Sequence, residues 1–144
     1  MAANMKSLIR LHEWTVDEKQ RKLGELSRLQ ADLEMQKANL IEEHVREKAA
    51  ASADPAGAGV TYPAYYERMK QRRDNLQDSI EQMDVVIAYA RDELAEAYQE
   101  LKKYETVDAN RQRRIEQEMA RREQVMLDEV ALNQFRRRKK AQAS

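Results

Sequence analysis

From Leu76 to Tyr104 the apolar residues return at alternating steps of four and three. Leu76, Met83, Ala90, Ala97 and Tyr104 form one series at spacing seven, which Met69 extends backward; Ile80, Ile87, Leu94 and Leu101 form the other. Only a helix puts such residues on one line, and only a second helix covers so narrow a line. The small Ala90 and Ala97 let that second helix come close. Before residue 50 a looser stripe runs through Ile9, Val16, Leu23, Gln30, Lys37 and His44, and through Met5, His12, Lys19, Leu26, Leu33 and Leu40. Leu8, Leu11, Leu29 and Ile41 are expected to broaden it.

Helix breakers gather in one place. The stretch "AAASADPAGAGVTYPAY" holds both prolines, Pro55 and Pro63, and two of the three glycines, Gly57 and Gly59. It reads as the single loop, with Thr61 as the N-cap of the next helix and Pro63 in its first turn. The expected organisation is one coiled-coil domain over residues 1–144. Helix one covers about 4–50, the loop about 51–62, and helix two about 63–140. Two helices joined by a short loop fold back as a long antiparallel two-helix coiled-coil hairpin, all-α in class. At 1.5 Å per residue the arms are unequal, roughly 70 Å and roughly 110 Å. Reflecting the chain about Ala58 sets Met5 opposite about residue 111. Helix one has then run out, so the C-terminal helix is expected to project beyond about residue 108. In "YETVDANRQRRIEQ" the stripe positions pass to Asp108 and Arg111, with no glycine or proline to stop the helix.

Charge supports this division. Charged residues are 36% of the chain and aromatics 6%, too polar for a thick core. Residues 49–107 carry 7 positive and 11 negative groups, and residues 108–144 carry 10 and 6. Zero cysteines remove disulfides and thiolate chemistry and fit a reducing compartment. No run is long and apolar enough for a signal peptide or a bilayer span, so a cytoplasmic protein without membrane insertion is expected.

Catalytic constellations are missing. There is no glycine-rich phosphate loop. His12 and His44 stand far apart and outside any zinc motif, so no metal or cofactor is expected. The many carboxylates have no cleft to exclude water, and no enzymatic activity is expected. The basic runs "RQRRIEQEMARRE" and "FRRRKK" are interleaved or preceded by acids, with only Phe135 as a stacking platform, so nucleic acid is not expected as a partner. A cationic helix end is favoured by the macrodipole without any ligand. Ile115, Met119, Met126 and Val130 share one face of the far helix and read as a docking surface, or as a self-association seam. Leu8, Ile9, Leu11 and Trp14 form a second apolar cluster, and Tyr62, Tyr65 and Tyr66 close the hairpin or meet a partner near the loop.

The stretch "LIRLHEWTVDEKQRKLGELSRLQADLE" is similar to the N-terminal helix of the FliJ family of flagellar export proteins. "LKKYETVDANRQRRIEQEMARREQVMLDEVALNQFRRRK" is similar to its C-terminal helix, above all in "LDEVA" at residues 127–131. The resemblance implies a non-enzymatic component of the flagellar type III export apparatus, cytoplasmic and peripheral at the flagellar base, acting in motility. It implies a stalk that enters the ring of the export ATPase. It also implies contact with the cytoplasmic domain of the export gate, and escort of export chaperones. Carried over, the ATPase surface falls on Arg113, Arg114, Arg121, Arg122, Leu127, Asp128 and Val130, with Leu11 and Trp14 from the N-terminal helix. The gate or chaperone surface falls on Gln36, Leu40 and Leu76. Glu43 and Glu47 stand where enteric members have aromatic residues, so that patch is expected to be reshaped. The isolated chain is expected to be a monomer. A self-associating structural coiled coil and the stalk of a virulence-type secretion system are the alternatives.

Overall fold

The computed structural model describes residues 2–143, in two helices and no strand among them. Helix α1 spans Ala2–Ala53 and helix α2 spans Ala58–Ala143. The all-α hairpin class is therefore observed.

The connection is shorter than the breakers suggest: residues 54–57 rather than about 51–62. Its hydrogen bonds explain why. The Asp54 amide still bonds the Ala50 carbonyl at 3.1 Å, so α1 runs through Ala53. The Asp54 carboxylate then accepts the Gly57 amide at 3.1 Å, an Asx-type turn that caps the new helix. Gly59 donates to the Asp54 carbonyl at 2.9 Å and Val60 to the Gly57 carbonyl at 3.1 Å. Asp54 does the capping expected of Thr61, whose hydroxyl bonds back to the Ala58 carbonyl at 3.2 Å. Pro63 lies inside α2 near its start, where its missing amide removes only one helical bond. Gly59 is required by a close approach, since a Cβ there would stand 3.2 Å from the Ala51 carbonyl oxygen and 3.3 Å from that of Asp54.

The chain divides into two compact units. One is Leu11–Gln99, a hairpin with its own seam. There Lys19 meets Glu93 at 2.8 Å, Lys37 meets Gln77 at 2.6 Å, and Gln30 donates to Asp84. These partners are mirrored about Ala56 and Gly57, one to two residues before the expected Ala58. Val16, Leu40, Met69, Leu76, Ile80, Ile87 and Ala90 are buried, and Leu23, Leu26, Leu33, Met83, Leu94 and Ala97 are half-buried. Burying such a side chain fully contributes about 1.5–3 kcal/mol. The broadening by Leu11, Leu29 and Ile41 does not occur; all three are exposed. A single partner helix covers only the two innermost positions of each heptad.

The other unit joins the residues up to Arg10 with those from Glu100 onward. Leu101 is buried, and Met5, Leu8, Ile9, Tyr104, Asp108 and Arg111 are half-buried. From residue 112 to 143 every residue except Glu118 is exposed, while α2 continues unbroken.

Candidate partner-binding surfaces

The exposed stretch of α2 keeps the apolar residues noted in the sequence. Ile115, Met119, Met126 and Val130 are all exposed, as are Val125, Leu127, Leu132 and Phe135. Exposed apolar side chains on a helix that burial does not explain are candidates for contact with another protein. The stretch stays helical partly through local ion pairs. Glu118 accepts from Arg121 at 2.9 Å and from Arg122 at 3.3 Å. These bonds, Arg121 first, hold the Glu118 carboxyl below the ordinary carboxylate range and raise the Arg121 guanidinium. Asp128 accepts from the Gln124 amide at 3.1 Å. Arg113 and Arg114 make no ion pair among the described residues.

These residues do not form one patch. Arg114, Arg121 and Asp128 recur at spacing seven and share a face. Val130 belongs to the Ile115 stripe, while Arg113 and Leu127 lie on another side. The charges and apolar groups go round the helix rather than facing one way. On α1, Trp14 is 61% exposed and Leu11 56%, three residues apart on one face.

Gln36, Leu40 and Leu76 are not equivalent. Leu40 is 4% exposed and Leu76 9%, and with Met69 they make a buried cluster of the hairpin. They are core residues rather than surface residues, because both occupy innermost seam positions. Gln36 is exposed and edges a groove with Asn39, Leu40, Glu43 and Arg72. The groove continues toward the loop past Tyr65, Arg68 and Met69, so Leu40 is reached only as its floor. Arg68 and Arg72 carry no ion pair among the described residues. Sequence reasoning passed over both; the signal is their four-residue spacing, which means little until the seam register is known.

At the loop end, His44 sits among three tyrosines. Its Nε2 shares a hydrogen bond of 2.9 Å with the Tyr62 hydroxyl, and the two rings stack at 6.1 Å. Tyr66 packs 5.6 Å from His44, with the Lys70 ammonium 5.3 Å from its ring centre. Tyr65 donates to Glu43 at 3.3 Å; burial, then the charge of Glu43, raises its phenol above the usual value. The cluster closes the hairpin from inside.

Among the described residues no group of three metal-binding side chains comes together. Among the described residues no helix is long and apolar enough to cross a membrane.

The model of a family described as "Flagellar FliJ protein" matches residues 1–140. Flagellar FliJ proteins of two strains of Caulobacter vibrioides, NA1000 / CB15N and ATCC 19089 / CB 15, are similar to this chain. Each is 34% identical over 126 residues, covering 88% of this chain and 90% of the relative. No solved structure matches the chain significantly.

Proposed function

The chain belongs to the FliJ family of flagellar proteins, and from that premise we propose that it is the non-enzymatic stalk coupling the flagellar export ATPase to the export gate. Family membership makes it a protein of flagellar export, and it favours the flagellar system over a virulence-type one. The finer reading is that the C-terminal part of α2 enters the ATPase ring, on the cytoplasmic side of the flagellar base.

One observation carries it. Residues 112–143 continue α2 while almost nothing in the chain covers them. A helix with charges and apolar groups all round suits the inside of a ring. Solvated charge contacts are individually weak and interchangeable, so the contact survives changes of orientation. Arg113 and Arg114, without an ion pair among the described residues, are the first groups offered to acidic loops of a pore. Arg121, Arg122, Leu127, Asp128 and Val130 follow, and Leu11 and Trp14 are assigned to the same partner. Chemistry belongs to the ATPase; the stalk biases its conformation. The groove edge at Gln36 is the contact for the gate or for export chaperones, with Leu40 beneath it and Leu76 in support.

The purified flagellar export ATPase, mixed with the full chain, should show saturable binding and faster hydrolysis or ring assembly. A chain ending at Asp108 should lose most of this effect. If the shortened chain stimulates as well as the full one, the assignment of the C-terminal helix is wrong. The exposed Ile115 stripe also suits a self-associating coiled coil. Sedimentation separates the two readings, since a stable monomer excludes an obligate dimer or filament.

A further inference from the structure

One long flank of the hairpin unit is defined by contacts at both its ends. At one end Lys22 reaches Glu93 at 4.0 Å. At the other Glu43 and Arg72 line the same groove. Residues 22, 29, 36 and 43 are spaced by seven on α1, and residues 72, 79, 86 and 93 by seven on α2. Leu29 therefore faces Val86, and Gln36 faces Ser79, on this same flank. The flank runs for about 30 Å.

Its middle is apolar and open. Leu29 is 51% exposed, Val86 45%, and Tyr89, three residues on, 67%. Its ends differ in charge. Beside Leu29 stand Glu25 and Asp32, and just beyond Glu93 stands Glu96, none with an ion pair among the described residues, while Lys22 on the same flank is matched by Glu93. Toward the loop stand Arg68 and Arg72, also without ion pairs, over the apolar floor of Leu40, Tyr65 and Met69. Glu43 faces the same groove and accepts the Tyr65 hydroxyl, and its single negative charge leaves the two guanidiniums in excess.

We propose that this flank seats a single amphipathic helix of a partner protein, in one direction only. Its N-terminal half is basic and lies over Leu29, Val86 and Tyr89 beside Glu25, Asp32 and Glu96. Its C-terminal end is acidic and lies over the groove at Arg68 and Arg72. Two independent effects select that direction. The side-chain charges match in this orientation and clash in the reverse one. The helix macrodipole adds to it, placing the positive N-terminus by the carboxylates and the negative C-terminus by the guanidiniums. A third helix laid over two is also the ordinary way to cover an apolar flank that a two-helix seam leaves open. This deepens, and rests on, the reading of the Gln36 edge as a surface for the gate or a chaperone, because Gln36 lies midway along the flank.

The test uses the full chain and two synthetic helical peptides of about 20 residues. They share one apolar stripe and one composition; one is basic at its N-terminal half and acidic at its C-terminal half, the other the reverse. Fluorescence anisotropy at low salt should show the first binding about tenfold more tightly. Val86→Lys should remove binding. The double change Arg68→Glu and Arg72→Glu should remove the preference while circular dichroism stays unchanged. Equal affinities, no binding of either peptide, or indifference to Val86→Lys would overturn the proposal. So would a dimer in sedimentation that Val86→Lys dissolves, since the occupant would then be a second copy. Gate domain and chaperones are titrated against the same variants and against Gln36→Arg. Binding of these that Gln36→Arg weakens, with the two peptides indistinguishable, sinks the directional chemistry and leaves the partner surface standing. Peptide discrimination without gate or chaperone binding does the opposite.

Discussion

Gly24 lies within α1, and a Cβ there would meet only the Arg28 guanidinium at 3.8 Å. Nothing in the packing requires a glycine. Gly24→Ala should therefore raise stability by about 1 kcal/mol, through backbone entropy alone. An unchanged urea midpoint would mean that α1 is not helical there, or that the chain needs a soft point. Glu93 offers a different single-residue test. The bond from Lys19 chiefly, helped by Lys22, holds its carboxyl below the ordinary range, and the same bond raises Lys19. A depressed carboxyl contributes stability that is present above its ordinary pKa and lost as pH falls through the lowered one. A raised lysine contributes stability present below its ordinary pKa and lost as pH rises through the raised one. The pair thus favours the hairpin between the carboxylate and ammonium ranges and fails at both extremes. Glu93→Gln should lose less stability than the wild type between about pH 7 and pH 3. Equal losses in urea midpoint would show that other carboxylates carry the acid limb.

In α1, Gln30, Lys37 and His44 hold successive innermost positions where an apolar side chain would pack better. Each makes a hydrogen bond to α2: Gln30 to Asp84, Lys37 to Gln77 and His44 to Tyr62. Polar groups at such positions set the register of a coiled coil at a cost in stability. Lys37→Leu, flanked by Leu33 and Leu40, should raise the urea midpoint by the equivalent of about 1 kcal/mol. It should also loosen the register, read as cysteine cross-linking at pairs shifted along the seam. A stabler hairpin with the cross-linking pattern unchanged would remove the register role. The helices and their inner faces were legible in the sequence because heptad spacing depends only on helical geometry. Every seam position named on α2, and the imperfect series on α1 including its polar members, is buried or half-buried. The loop ends were not legible. They depend on Asp54 folding its carboxylate back to Gly57, a contact that composition does not announce.

The hairpin unit holds both halves of its own seam within residues 11–99. A chain ending at Asp108 should therefore unfold at nearly the same denaturant concentration as the full chain. A loss above about 1 kcal/mol would mean that the C-terminal helix supports the hairpin directly. This test is independent of ATPase stimulation, so stability and function can fail separately.

By itself the sequence determined that two helices pair along a narrow seam, and that the stripe changes character after Tyr104. Residue spacing converts directly into position on a helix, so no other part of the chain is needed to read it. Which apolar residues stay uncovered was decided only in three dimensions. Leu40 and Leu76 became core while Leu29, Val86 and Tyr89 remained open. Exposure depends on what the opposite helix places across the seam, and the mirror point between the two helices is set by the turn at residues 54–57.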